Sequence, residues 1–167
     1  MQYGVVHVDD EEEEPRKIAE RLLYDGLPAF FDLDAIEDGQ YYAADKGYGD
    51  TKISWKYRQS EYKIEYLKFR SEDEIPGINI KKYDRVLFIF DVHRPNDKGT
   101  GADSFLIQSV TAARALCNER EFNAVIWTHF PNAPAVREAG VETVLKKRNV
   151  EEFAVKIMEL LGFSRDV

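Results

Sequence analysis

The apolar positions of the chain follow two different periods. YGVVHV (3–8), DRVLFIFD (84–91) and FNAVIWTHF (122–130) are apolar almost residue by residue, as strands covered on both faces are. PAFFDLDAI (28–36) and VETVLKK (141–147) read as two further strands. Between them the spacing becomes helical. EEEEPRKIAERLLYD (11–25) sets Ile18, Leu22 and Leu23 on one stripe, has an acidic first turn that suits the positive end of a helix dipole, and meets Gly26 as a stop. ADSFLIQSVTAARALCNE (102–119) turns Phe105, Leu106, Val110, Ala113 and Leu116 or Cys117 to one side. APAVREAG (133–140) predicts a short helix closed by Gly140. NVEEFAVKIMELLG (149–162) predicts a last helix, with Asn149 as N-cap and Gly162 as its end.

Strands alternating with helices predict an α/β fold: a doubly wound, five-stranded parallel sheet with helices on both faces. One segment breaks the alternation. About fifty residues separate the second and third strands, where a helix of about ten would suffice. Within it TKISWKYRQSEYKIEYLKFR (51–70) has period two: Ile53, Trp55 and Tyr57 alternate with Lys52, Lys56 and Arg58, and Tyr62, Ile64 and Tyr66 repeat the pattern. This predicts a β-hairpin turning near Gln59 and Ser60, carried by an insertion at about 38–80 and lying outside the sheet core. IPGI (75–78) would be the return linker, and 1–167 a single domain.

Composition narrows the function classes. A chain of 167 residues with 44% hydrophobic content suits one packed domain. Twenty-three basic residues stand against 31 acidic ones, a net charge of -8, which disfavours duplex DNA or an anionic membrane as a partner for the whole surface. Residues 46–70 run against that balance, with seven basic residues to three acidic ones. Their alternating aromatic and basic side chains, Trp55, Tyr57, Arg58 and Lys63 among them, make the hairpin a candidate docking face for an acidic partner or single-stranded nucleic acid. The single Cys117 allows no internal disulfide, and no leader or run of about 18 apolar residues is visible, so a cytoplasmic setting is expected.

The candidate chemistry sits where the strands end. In a doubly wound sheet the carboxyl ends of the strands share one edge, where ligands bind. Reading off those ends gives Asp9 and Asp10, then Asp91, Thr128 and Lys147. Each aspartate alone would serve as a loop residue capping the next helix. Together, three carboxylates repel one another, and a hard divalent cation such as Mg²⁺ relieves that repulsion with oxygen ligands. A lysine and a hydroxyl beside them suit an incoming phosphoryl group, and an aspartate can be its nucleophile. Glu11 to Glu14 read as a solvated first turn, and His7 as a core residue.

At these residues the chain resembles the receiver domains of two-component response regulators. VVHVDDEEEE is similar to the family's first strand and acidic pair. FIFDVHRPNDKG (88–99) is similar to its phosphoacceptor segment, with proline four and glycine eight residues after the aspartate. VIWTH and AGVETVLKKRN are similar to the strands bearing its hydroxyl and its lysine. The resemblance covers 1–36 and 84–163. It implies a flavodoxin-like sheet of order 2-1-3-4-5, with Asp91 as phosphoacceptor. It implies Mg²⁺ held by Asp9, Asp10, Asp91 and the backbone carbonyl of His93, with Lys147 and Thr128 on the phosphoryl group. The donor would be a histidine kinase or phosphotransfer protein. The chain would be a phosphoacceptor and not an enzyme in the ordinary sense, acting by contact with a downstream protein or by phosphorelay. It departs from the family in having His129 where a small residue is usual, Arg148 where proline is usual, Val144 at the aromatic switch position, and a segment between Thr128 and Gly140 about one helical turn short.

Two other readings stay open at this point. A degenerate receiver would bind partners without accepting phosphate. Alternatively, DKGTGAD (97–103) faintly resembles the Asp-x-Gly-Thr loop of nucleoside deoxyribosyltransferases, which would make Asp103 a nucleophile. A dehalogenase-type phosphatase, suggested by FFDLDAI, is excluded because the acidic pair Asp9–Asp10 precedes that motif.

Overall fold

The continuous apolar runs form the strands they predict. In the computed structural model, which describes residues 1–11, 13–43, 50–92 and 102–165 (backbone only for 102–104), these are β1 (Gln2–Val8), β5 (Arg85–Phe90) and β6 (Ala124–Thr128). The other strands are β2 (Ile36–Ala43), β3 (Thr51–Tyr57), β4 (Ser60–Phe69) and β7 (Thr143–Lys146). The helices are α1 (Glu13–Arg21), α2 (Leu27–Phe30), α3 (Ala102–Cys117), α4 (Pro134–Ala139) and α5 (Val150–Leu160). Among the described residues no helix is long and apolar enough to cross a membrane.

One seven-stranded mixed sheet runs in the order β2-β3-β4-β1-β5-β6-β7. The five strands from β4 to β7 are mutually parallel, while β3 is antiparallel to both β4 and β2. The expected five-stranded sheet with a hairpin outside it is therefore corrected. The second limb of the hairpin is the parallel neighbour of β1, in register from Gln2↔Lys63 to Val8↔Phe69. Counting only the parallel strands, β4 takes the second place and the order is 2-1-3-4-5.

Residues 28–36 are correspondingly not the second strand. Pro28 stands in the first turn of α2, and the Asp32 side chain accepts from Asp34 N–H to cap a 3-10 turn at Leu33–Ala35. Both devices favour helical turns over ladder pairing. Gly26 is not a stop either. The chain passes from α1 through a π-helical turn (Leu22–Gly26) into α2, and Gly26 is there for closeness: a Cβ on it would lie 3.1 Å from Met158 Cγ on α5. The Asn149 cap is as expected, its side chain accepting from Glu152 N–H at 3.2 Å. Gly140 closes α4 with φ of 66°.

Each face of the sheet carries its own core. One, from Val5, Ile64, Tyr66, Leu87 and Trp127, is covered by Ile18, Leu22, Phe153 and Ile157 of the α1 and α5 side. The other, from Val6, Phe88 and Ile126, is covered by Leu106 and Val110 of α3 and by Val136 of α4. The added strands share the first core. Trp55 and Tyr57 are only 2% and 7% exposed, and Phe31 meets their rings edge-on at 5.3 and 5.0 Å. Tyr62 stacks on Trp55 at 5.3 Å, and Phe163 closes the cluster from the C-terminal side. The hairpin's aromatic residues are thus core and not docking anchors. Arg58 and Gln59 form the tight turn, with φ of 48° and 68°, and Lys63 pairs with Glu65.

At the start of β1, Gly4 makes room for Tyr83, since a Cβ there would lie 2.8 Å from the ring. Tyr83 can then cross β1 and donate its hydroxyl to the buried Glu65 at 2.5 Å, which Lys82 and Lys63 also contact at 2.9 and 3.0 Å.

Candidate functional site

Because the strands from β4 to β7 are parallel, their carboxyl ends deliver Asp9, Asp91, Thr128 and Lys147 to one edge. Asp9 follows β1 directly. Its N–H donates to Phe69 O at 3.0 Å, and its Oδ1 accepts from Glu11 N–H at 2.9 Å, turning the chain toward α1. Asp91 follows β5, and Thr128 is the last residue of β6. Lys147 follows β7 and extends its ladder by donating its N–H to Thr128 O at 2.8 Å.

Lys147 is the centre of the cluster. Its ammonium lies 2.6 Å from Asp91 Oδ2 and 3.9 Å from Asp9 Oδ2, and it also bonds Glu14 Oε2. The ammonium also lies over Trp127, with Nζ 5.0 Å from the ring centroid. Burial alone would push the lysine down. Asp91, Glu14 and Asp9 outweigh burial and raise its pKa, so the cation is held.

The two aspartates respond to their surroundings in opposite ways. Burial pushes Asp9 up, but His7, the Glu11 N–H and Lys147 together overcome it and bring its pKa down to about 2. Burial dominates at Asp91, whose pKa is raised although Lys147 and the Thr128 hydroxyl favour its anion.

Ligand atoms of Asp9, Glu14 and Asp91 lie within 4.8 Å of one another, so this cluster could hold a metal ion. Two buried carboxylate oxygens there, Asp9 Oδ2 and Asp91 Oδ1, have no hydrogen-bond partner. Unpaired buried acceptors are costly, and an all-oxygen set of this charge fits a hard divalent cation.

The sequence reading and the geometry differ over which acid completes the set. Asp10 is exposed and stands on the wall of the cleft, outside the three-carboxylate group. Its place is taken by Glu14, which the sequence reading assigned to solvent. The signal for Glu14 is its position one helical turn before the fully buried Ile18, on the face of α1 turned to the sheet. The cleft has a volume of about 460 Å³ and is lined by Asp10, Glu14, Asp91, His129, Phe130 and Lys147. His129 is exposed and meets Phe130 edge-on at 6.5 Å. The Thr128 hydroxyl accepts from Phe130 N–H at 3.1 Å. The His93 carbonyl and most of the DKGTGAD loop lie outside the described residues, as does the Asp103 side chain.

No protein-family model and no curated protein matches this chain. Solved structures do. The RcsB response regulator of Salmonella typhimurium matches over 99% of this chain with a TM-score of 0.52 at 14% identity, and this chain spans 62% of that one. The likeness is one of fold and supports a receiver-like arrangement of the parallel strands. The cytosolic domain of the T. maritima FeoB iron transporter in GMPPNP form is more distant, at 13% identity and a TM-score of 0.41, covering 100% of this chain and 67% of that one. Helicobacter pylori MTAN, at 11% identity and a TM-score of 0.31, covers 96% of this chain and 97% of that one.

Proposed function

We propose that this domain is a receiver-like signalling module whose Asp91 accepts a phosphoryl group with Mg²⁺ as cofactor. The observation that carries the reading is the 2.6 Å pairing of Asp91 with Lys147, beside Asp9 and Thr128, at one edge of the parallel strands. In this reading a carboxylate oxygen of Asp91 bonds to phosphorus as the phosphorus–nitrogen bond of a phosphohistidine donor breaks. The electron pair leaves with the donor imidazole, which takes up a proton from solvent.

Asp9, Glu14 and Asp91 would hold the cation, with Asp10 acting from the cleft wall. Bound there, Mg²⁺ supplies positive charge that neutralises the phosphoryl oxygens and keeps Asp91 ionised. Lys147 would move its ammonium from the carboxylates onto the new phosphoryl group. Thr128 already accepts from Phe130 N–H, and its hydroxyl hydrogen would turn to a phosphoryl oxygen. The donor would be a histidine kinase or phosphotransfer protein, and the output contact with a downstream protein.

Incubation with acetyl phosphate and Mg²⁺, read by intact mass, tests the proposal. One phosphoryl group is expected on the wild type and none on Asp91→Asn. Labelling that persists in Asp91→Asn would place the acceptor elsewhere. A second reading, a binding module that never takes up phosphate, is favoured by the bonds Lys147 already makes to Glu14 and Asp91 in a cleft that His129 and Phe130 also line. A wild type that binds Mg²⁺ yet stays unlabelled, including in His129→Ala, would select it.

A further inference from the structure

A buried polar chain leads away from the site into the sheet. His7 projects from β1 into the core on the α1 and α5 side and is wholly buried. Its Nδ1 lies 2.6 Å from the hydroxyl of Tyr66, on the adjacent strand β4. Its Nε2 has no hydrogen-bond partner and faces Asp9 Oδ2 at 3.7 Å, an oxygen that also has none. Neither atom has a hydrogen bond, although the Lys147 ammonium also lies 3.9 Å from that oxygen, so the contact between ring and carboxylate is an incomplete one.

The tautomer follows from the neighbours. Tyr66 is fully buried beside the ring, and the 2.6 Å contact can be made with either partner as donor. A tyrosine that donates to Nδ1 leaves the neutral ring its hydrogen on Nε2, pointing at the carboxylate. The opposite tautomer would set the bare Nε2 lone pair against the Asp9 anion. A hydroxyl that donates to Nδ1 and a ring N–H that faces Asp9 thus belong to the same ring state.

We propose that His7 is a positioning residue for Asp9, held by Tyr66 with its Nε2–H toward the carboxylate. Its bearing on the cation rests on the receiver reading above, whereas the orienting contact does not. Glu11 N–H holds Oδ1 from the loop, and His7 steers Oδ2 from the strand, so the carboxylate is gripped from both sides. The second grip passes through β4, the strand that joins the β2–β3 extension to the parallel sheet. Partners behind a metal ligand that fix its direction affect metal affinity by about 10–100-fold.

Two measurements test this. Nitrogen-15 NMR of the His7 ring in metal-free protein is expected to show Nδ1 bare and Nε2 protonated, with the ring state altered in Tyr66→Phe. A bare Nε2, or a ring state that Tyr66→Phe leaves unchanged, overturns the proposal. Mg²⁺ titration of the same proteins is the second. His7→Leu should bind about tenfold more weakly, and His7→Gln, which keeps a side-chain N–H, should recover most of the loss. The double variant His7→Leu/Tyr66→Phe removes both buried polar groups together, which protects the fold, and should be as weak as His7→Leu. Wild-type affinity in His7→Leu, or equal losses in the Leu and Gln variants, overturns the positioning role. If the wild type itself takes no Mg²⁺, the cation reading of the site falls, and the ring-state measurement alone decides for His7.

Discussion

Lys147 Nζ lies 2.6 Å from Asp91 Oδ2, an ion pair that reaches across the intervening strand β6 from the end of β7 to the end of β5. The same ammonium also faces Asp9 and bonds Glu14. One ammonium thus faces three carboxylates.

Removing that charge is expected to destabilise the domain. In Lys147→Met the carboxylates lose their shared partner, at a cost of about 1–3 kcal/mol in chemical denaturation. Added Mg²⁺ should return more stability to this variant than to the wild type, because it relieves a larger repulsion. Equal stabilisation of the two proteins would argue against a cation among these carboxylates.

The cation set can be sorted by single substitutions. Mg²⁺ at a hundredfold excess over its Kd would stabilise the wild type by about 2.7 kcal/mol through mass action. Asp9→Asn and Glu14→Gln should largely abolish that gain in thermal melts. Asp10→Asn should reduce it far less, since Asp10 stands outside the three-carboxylate group. A dominant effect of Asp10→Asn would restore the acidic pair expected from the sequence and displace Glu14.

Trp127 is placed to report on Lys147, whose ammonium is 5.0 Å from its ring centroid. Beryllofluoride with Mg²⁺ should draw the lysine away from the indole and change its emission. The change should vanish in Trp127→Phe, which leaves Trp55 as the remaining tryptophan. A signal that survives in Trp127→Phe would come from Trp55, and Lys147 would not be what moved.

Residues 51–70 are expected to be indispensable. Replacing them with a Gly-Ser linker removes β3 and β4 and leaves the β1 edge unpaired, so circular dichroism should show loss of the folded state. Trp55→Ala alone should cost about 3–5 kcal/mol, as a large core ring does. A folded domain after the replacement would return the hairpin to the role of an accessory element.

Acid sensitivity should trace in part to Glu65. Burial pushes this carboxyl up, but bonds from Tyr83, Lys82 and Lys63 outweigh it and lower its pKa from 4.5 to about 2. Between those values the unfolded chain binds more protons than the native one, so the stability Glu65 contributes is complete above 4.5 and is lost as the pH falls toward about 2. Glu65→Gln should therefore be less stable than the wild type at neutral pH, by about 1–3 kcal/mol, with the gap closing through that window. A gap independent of pH would assign the effect to packing alone.

Much of the fold is written in short-range pattern. β1, β5 and β6 are legible because each is a continuous apolar run, and α3 and α5 because their apolar residues recur at helical spacing. Asp9, Asp91 and Thr128 were legible for the same reason, since each stands where such a run ends and the strands are parallel, and Lys147 because it closes the strand read at 141–147. The second strand was not. Both PAFFDLDAI and SEYKIEYLKF carry enough apolar residues to pair with β1, and only the ladder from Gln2↔Lys63 to Val8↔Phe69 decides between them. Period two in the hairpin showed that Trp55 and Tyr57 share a face, but not that Phe31 and Phe163 would cover it. Glu14 entered the site, and Asp10 stayed on its wall, through the rotation of α1 about its own axis. His7 and Tyr66 met only because β1 and β4 became neighbours. Strand and helix character depends on contacts within a few residues. Strand partners, helix rotation and the company of a buried polar atom depend on segments far apart in the chain, and only packing brings those together.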